Sequence, residues 1–263
     1  MSFIRYQVEG AVATIMIDRH EKRNAMTFDM LREFLEAIDK AGKDATVAAI
    51  IITGVPGSFC AGTDLSAVSN TLEGVHSGGP HDKPADSNKL ARWAITQSPK
   101  PTIGAIDGAA VGMGAEFATQ CDIRIATPRA RFAWNFASRG LVPDSGAGSW
   151  LLPRQIGLQA ALRLVYSGEF LSGEEAFKIG FVSELVEPDA LLDRARALAM
   201  TMTTGSPLAI RMVKDLVYQG LGRSLDDHLV ENAKAGDICF NSLDHKEGVA
   251  AFVEKREPRF VGR

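Results

Sequence analysis

The run Val47-Ala-Ala-Ile-Ile-Ile-Thr53 has no polar residue before its terminal threonine. A strand with one wet face alternates apolar and polar residues, so this run predicts a strand covered on both faces. Such strands belong to parallel sheets, whose crossovers need intervening helices. Apolar texture returns at Thr102–Ile106 and at 122–127, with a shorter strand expected at 130–134 and a last one at 181–186. An N-terminal hairpin is expected from residues 3–8 and 11–17 around Glu9-Gly10.

Helical signals alternate with these strands. Thr27 is placed to cap a helix over 28–41, with Met30, Leu31, Phe34, Leu35 and Ile38 on one face. Helices are expected at 89–97, 115–121, 149–152, 160–167 and 172–179, the last with Ser172 and Glu175 in capping-box spacing. After Pro188 the pattern is helical throughout: 189–202, a helix opened by Ser206-Pro207, one opened by Ser224, and 246–256. The order predicts an α/β core over residues 1–196 and a helical region over 197–263. A short helix is expected to begin at Asp64, and the polar stretch 70–87 reads as a long loop.

Composition removes several function classes. A net charge of -3 gives no electrostatic reason to expect nucleic acid. No apolar run is long enough to cross a membrane, and residues 1–6 lack a signal-peptide pattern. Cys60, Cys121 and Cys239 form no pair motif, and the histidines no ligand pattern, so buried thiols in a reducing cytoplasm and no metal site are expected.

Two turns carry the chemistry. Gly108, Gly112 and Gly114 break the chain after the strand at 102–106, and a helix with Glu116 in its first turn follows. Phe59-Cys-Ala-Gly-Thr-Asp-Leu65 follows the strand at 47–53. Glycine-rich turns at a helix start present unpaired N–H groups, so two donors from two such turns could converge on one oxygen. The alternative is a tight core turn, with Glu116 simply favourable beside the helix dipole.

Taken with Arg23-Asn-Ala-Met26, Ile51-Ile-Thr-Gly54, Lys100-Pro101, Cys121-Asp-Ile-Arg-Ile-Ala126, Gly180-Phe-Val-Ser183 and Phe252-Val-Glu-Lys-Arg256, these turns make nearly the whole chain resemble the crotonase, or enoyl-CoA hydratase/isomerase, superfamily. The resemblance implies a ββα superhelix with a C-terminal helical region that assembles homotrimers or hexamers. It implies an acyl-CoA thioester substrate and no separate cofactor, coenzyme A being part of the substrate. It places the oxyanion hole at the backbone N–H groups of Ala61 and Met113, and coenzyme A against Arg23, Asn24, Ala25, Ala61 and Asp64. Phe252 and Lys255 match positions that reach a neighbouring subunit's coenzyme A. Trp134, Phe136 and Leu141 are expected to line the acyl pocket, with core packing as the alternative.

The acids decide the subtype. Hydratases of this family use two glutamates; the first matches Glu116, and the second falls at Phe136, which cannot carry a proton. Asp144 matches the acid of the family's isomerases, where one carboxylate shuttles a proton. It also fits a helix N-cap. The resemblance therefore implies an isomerase with Asp144 as base, with a hydratase using Glu116 and Asp144 as the alternative. A third family chemistry, aryl-CoA dehalogenation, would need a histidine near Lys89, where there is none. The alternative of another class is a non-catalytic protein that binds coenzyme A.

Overall fold

The computed structural model describes residues 2–64 and 93–263. Residues 65–69 of the helix expected to begin at Asp64, the 70–87 loop and the first residues of the 89–97 helix lie outside them; of that helix, α2 (Ala94–Gln97) is described.

The first sheet has six strands among the described residues, in the order β1 (Ile4–Glu9), β2 (Val12–Ile17), β3 (Ala49–Gly54), β5 (Thr102–Ile106), β7 (Ile123–Ala126) and β10 (Glu184–Leu185). β1 and β2 form the antiparallel hairpin, and every later pair is parallel. The second sheet runs β4 (Ser58–Cys60), β6 (Ala109–Val111), β8 (Arg131–Ala133) and β9 (Leu171–Ser172). From β3 to β8 the chain lays one strand in the large sheet and the next in the small one, which is the expected ββα spiral.

Side-chain alternation explains the absence of a polar face. Ile50 and Ile52 of β3 enter the core between sheets and helices on one side, whereas Ala49 and Ile51 enter a second core. That second core closes against α8 (Leu191–Met202) through Leu191, Ala195 and Ala199, with Ile103 and Ile125 from β5 and β7. Each fully buried isoleucine contributes roughly 1.5–3 kcal/mol. The division expected between residues 196 and 197 falls inside α8 (Leu191–Met202).

The first helix, α1 (Phe28–Lys43), starts where Thr27 Oγ1 accepts the Met30 N–H, and buries Met30, Phe34 and Ile38. The helix after β6 is α3 (Met113–Gln120). Four short helices follow: α4 (Ala147–Trp150), α5 (Leu152–Ile156), α6 (Leu158–Ser167) and α7 (Gly173–Lys178), the last with its capping box formed. The C-terminal helices are α9 (Pro207–Gly220), α10 (Leu225–Phe240) and α11 (Leu243–Glu254). Lys214 of α9 joins the core by bonding Asp122 Oδ2 (2.8 Å) and Lys100 O (3.0 Å), while Tyr218 donates to Asp122 Oδ1 (2.7 Å). No described helix is long and apolar enough to cross a membrane.

Candidate active site

The glycine-rich segment holds a strand that its sequence hides. β6 ends at Val111, and Gly112 adopts φ 54°, ψ -118°, a conformation open to glycine. Its N–H donates to Ala133 O at 2.9 Å, and its carbonyl accepts the Glu116 N–H at 3.0 Å, closing the first bond of α3. The N–H groups of Met113, Gly114 and Ala115 stand before that bond and have no acceptor within the helix. Gly114 lets the turn press on β4: a Cβ there would lie 2.1 Å from Cys60 O. On the facing turn, a Cβ at Gly62 would lie 3.8 Å from Met113 N. The two turns are thus in contact.

Between them lies a cavity of about 210 Å³. Ala61, Gly62, Thr63, Val111, Gly112 and Met113 form one wall; Asn135, Phe136, Arg139, Leu141 and Asp144 form the other. Phe136 and Leu141, expected at an acyl pocket, both line this cavity. Trp134 does not: it is fully buried, its Nε1 donates to Thr119 Oγ1 (3.2 Å), and its ring meets Phe181 edge-on. Strand alternation after β8 turns it into the core, away from the cavity.

Hydrogen-bond accounting also moves one oxyanion donor. The Ala61 N–H, expected to face the ligand, donates to Arg23 O at 3.1 Å and is committed. Thr63 bridges Met26 in a parallel pair, with Met26 N donating to Gly62 O and Asp64 N to Met26 O, both at 2.8 Å. Along extended chain, alternate residues turn their backbone groups to opposite sides. The Thr63 N–H therefore points away from Met26, on the side where Thr63 lines the cavity, and no acceptor for it is found among the described residues. Thr63 and Met113 thus each offer an N–H, one from each turn. The sequence signal for Thr63 was the parity of the chain after Gly62, which is readable only once the pairing with Met26 is known.

The loop expected to receive coenzyme A is built from inside. Arg23 and Asn24 both adopt left-handed backbone, with φ 50° and 58°. The Asn24 side chain is fully buried: Nδ2 donates to Ser58 O (2.6 Å) and Phe59 O (3.2 Å), and Oδ1 accepts the Arg19 N–H (2.8 Å). Asp64 is buried against Arg19, whose Nη1 lies 2.7 Å from Asp64 Oδ2 and 2.9 Å from Ala25 O. The side chains of Asn24 and Asp64 thus hold the loop rather than face a ligand, leaving Arg23 exposed and Ala25 half-buried. Phe252 is 87% exposed near the C-terminal end of α11; neither it nor Lys255 lines the cavity.

The two acids differ sharply. Asp144 is exposed and lines the cavity. Glu116 is fully buried and does not. Glu116 Oε1 accepts the Gly148 N–H (2.8 Å), and Oε2 accepts the Ala147 N–H (2.9 Å) and the Ser145 hydroxyl (2.5 Å). Burial pushes this carboxyl up to about 7, aided by the negative charge of Asp144 and opposed by its three donors. Burial likewise pushes the thiols of Cys60 and Cys121 up to about 12, so neither is a nucleophile. Among the described residues no cluster of three metal-ligating side chains occurs. Two converging N–H groups and one accessible carboxylate can stabilise an enolate oxygen and exchange a proton with its carbon skeleton.

The enoyl-CoA hydratase/isomerase family model matches residues 7–263. The short-chain-enoyl-CoA hydratase of Clostridium acetobutylicum is 34% identical over 252 residues, covering 95% of this chain and 94% of that protein. The 1,2-epoxyphenylacetyl-CoA isomerase of Escherichia coli K12 is 34% identical over 268 residues, covering 100% of both. The crystal structure of an enoyl-CoA hydratase from Mycobacterium tuberculosis H37Rv matches with a TM-score of 0.87 at 32% identity, covering 100% of both chains.

Proposed function

The chain belongs to the enoyl-CoA hydratase/isomerase family, and from that premise we propose that it moves a double bond along an enoyl-CoA, with Asp144 as the proton-shuttling base. One observation carries this reading: Asp144 is the only carboxylate lining the cavity among the described residues, whereas both oxygens of Glu116 are engaged underneath it.

In the proposed reaction a β,γ-enoyl-CoA lies with its thioester oxygen between the N–H groups of Thr63 and Met113. Asp144 takes a proton from the α carbon, and the electron pair moves into the thioester, giving a dienolate. The two donors hold the negative oxygen in a site where fixed dipoles outperform water. The same proton returns at the γ carbon, and the double bond ends in conjugation with the thioester. Proton taken equals proton returned, so neither water nor an added cofactor is required. Hydration needs a second acid in contact with water. For that, Glu116 would have to leave three donors, and Phe136 stands where the other glutamate would be. A purely coenzyme A-binding role leaves the base and the two open donors without a task. The homotrimer or hexamer is part of this proposal; exposed Val213 and Val217 on α9, Leu221 just beyond it, and Leu225 and Leu229 on α10 support it.

Asp144→Asn keeps the side-chain size and removes the base. Isomerisation of a β,γ-enoyl-CoA, followed by the appearance of conjugated-thioester absorbance, is expected to fall by about 10²–10⁴-fold. Full activity in that variant would sink the assignment.

A further inference from the structure

Met113 and Glu116 stand three residues apart in the first turn of α3, about 4.5 Å along its axis. Met113 serves the cavity through its backbone. Glu116 reaches the other way, to the turn at 143–148. The α4 helix starts at Gly146, which has no side chain to cap it. Its first two N–H groups, Ala147 and Gly148, are instead satisfied by the Glu116 carboxylate, and the Ser145 hydroxyl adds a third bond. Longer contacts also hold the turn, among them Ala147 N to Ser145 Oγ at 3.3 Å, Gly146 N to Pro143 O at 3.2 Å and Ser149 Oγ to Gly146 O at 3.1 Å. Asp144 is the residue immediately before Ser145.

We propose that Glu116 is a positioning residue: it caps α4 from a distant helix and so fixes the carboxylate of Asp144 relative to the Met113 N–H. One helical turn then registers the base against the enolate oxygen. This role rests on Asp144 being the base, and it differs from the proton-transfer role that a glutamate at this place suggests. A carboxylate suits the task because it accepts on both oxygens, whereas an amide would set its NH2 against one of the two N–H groups. Among the described residues the one other charge that bears on it is Asp144, since its remaining partners are backbone amides and a hydroxyl.

The test compares Glu116→Gln and Ser145→Ala with the wild-type protein by steady-state isomerisation of a β,γ-enoyl-CoA across the acidic and neutral range. It adds hydrogen exchange of the amides in 143–150. Glu116→Gln is expected to lower kcat by about 10²-fold, the cost of misplacing a reacting group by about 1 Å. KM should be unchanged, and exchange at Ala147 or Gly148 should be faster. The gentler Ser145→Ala is expected to lower kcat about tenfold or less, as one hydrogen bond is lost. Wild-type kcat and wild-type exchange in both variants would overturn the proposal. So would loss of a limb of the pH profile in Glu116→Gln with exchange unchanged, since Glu116 would then be carrying the proton. If instead Asp144→Asn stays active, the base assignment fails; an inactive Asp144→Asn beside unaffected Glu116→Gln and Ser145→Ala defeats the positioning role alone.

Discussion

Gly114 is where the two turns of the cavity meet most closely, and Gly114→Ala probes that contact directly. The added Cβ would lie 2.1 Å from Cys60 O and 2.9 Å from Cys60 C. An ordinary contact begins near 3.4 Å, so β4 and the start of α3 must part by about 1.3 Å. Both sides are backbone, so no side chain can swing aside. The separation pulls the Met113 N–H away from the Thr63 N–H. A missing oxyanion donor costs about 10²–10³ in kcat, and a 1 Å misplacement about 10². Gly114→Ala is therefore expected to lose about 10²-fold or more in kcat, and overpacking to cost about 1–3 kcal/mol of stability. Steady-state isomerisation gives the first quantity and a urea titration the second. Gly222→Ala serves as control, because a Cβ there meets nothing within 4 Å, and its stability should stay within about 0.5 kcal/mol. Wild-type kcat and urea midpoint in Gly114→Ala would refute the reasoning.

Three further outcomes follow from the same geometry. Thr63→Pro deletes an N–H that bonds nothing among the described residues, so kcat should fall about 10²–10³-fold with a modest change in urea midpoint; equal kcat would remove Thr63 from the oxyanion hole. Arg124 is buried and donates to Phe181 O and Cys121 O, both at 2.6 Å, and to Ala118 O at 3.2 Å, so Arg124→Met should cost on the order of 3 kcal/mol in the same titration, and an unchanged midpoint would contradict the bonding described. The folded pKa of Glu116 lies above its ordinary 4.5, at about 7; the stability it contributes is therefore full below about pH 4.5 and is lost as pH rises through 7, by roughly 3 kcal/mol in all. Urea midpoints across that window should show the fall in wild type but not in Glu116→Gln, and a fall of the same size in the variant would assign it to another group.

The parts of the fold that were legible are those with one-dimensional signals. β3 and β5 lack a polar face because Ile51 and Ile103 enter one core while Ile52 and Ile106 enter the other. The caps at Thr27, Ser172, Ser206 and Ser224 all accept the N–H groups their spacing implied. Two strands of the second sheet were hidden: Ser58–Cys60 and Ala109–Val111 are three-residue strands inside glycine-rich stretches, too short to show a period. Site residues failed where identity depends on which way a group points. Ala61 and Thr63 differ only by pairing: the N–H of one meets Arg23 O, and that of the other meets the cavity. Asn24, Asp64 and Trp134 carry polar groups that suit a ligand, but each meets a partner from a segment far away in the chain, as Asn24 does with Ser58 O. Glu116 stood out in the sequence as an acid in the first turn of a helix; its burial and its engagement with α4 required the tertiary structure.

The proposed reaction is a proton shuttle by one carboxylate, with no water added. It is tested most directly by giving the protein, in parallel, a β,γ-enoyl-CoA and crotonyl-CoA and following conjugated-thioester absorbance. The account predicts a gain with the first and a steady signal with the second. Rapid loss with crotonyl-CoA and no gain with the β,γ-enoyl-CoA would contradict it, and would require Glu116 to leave its three donors and reach the substrate.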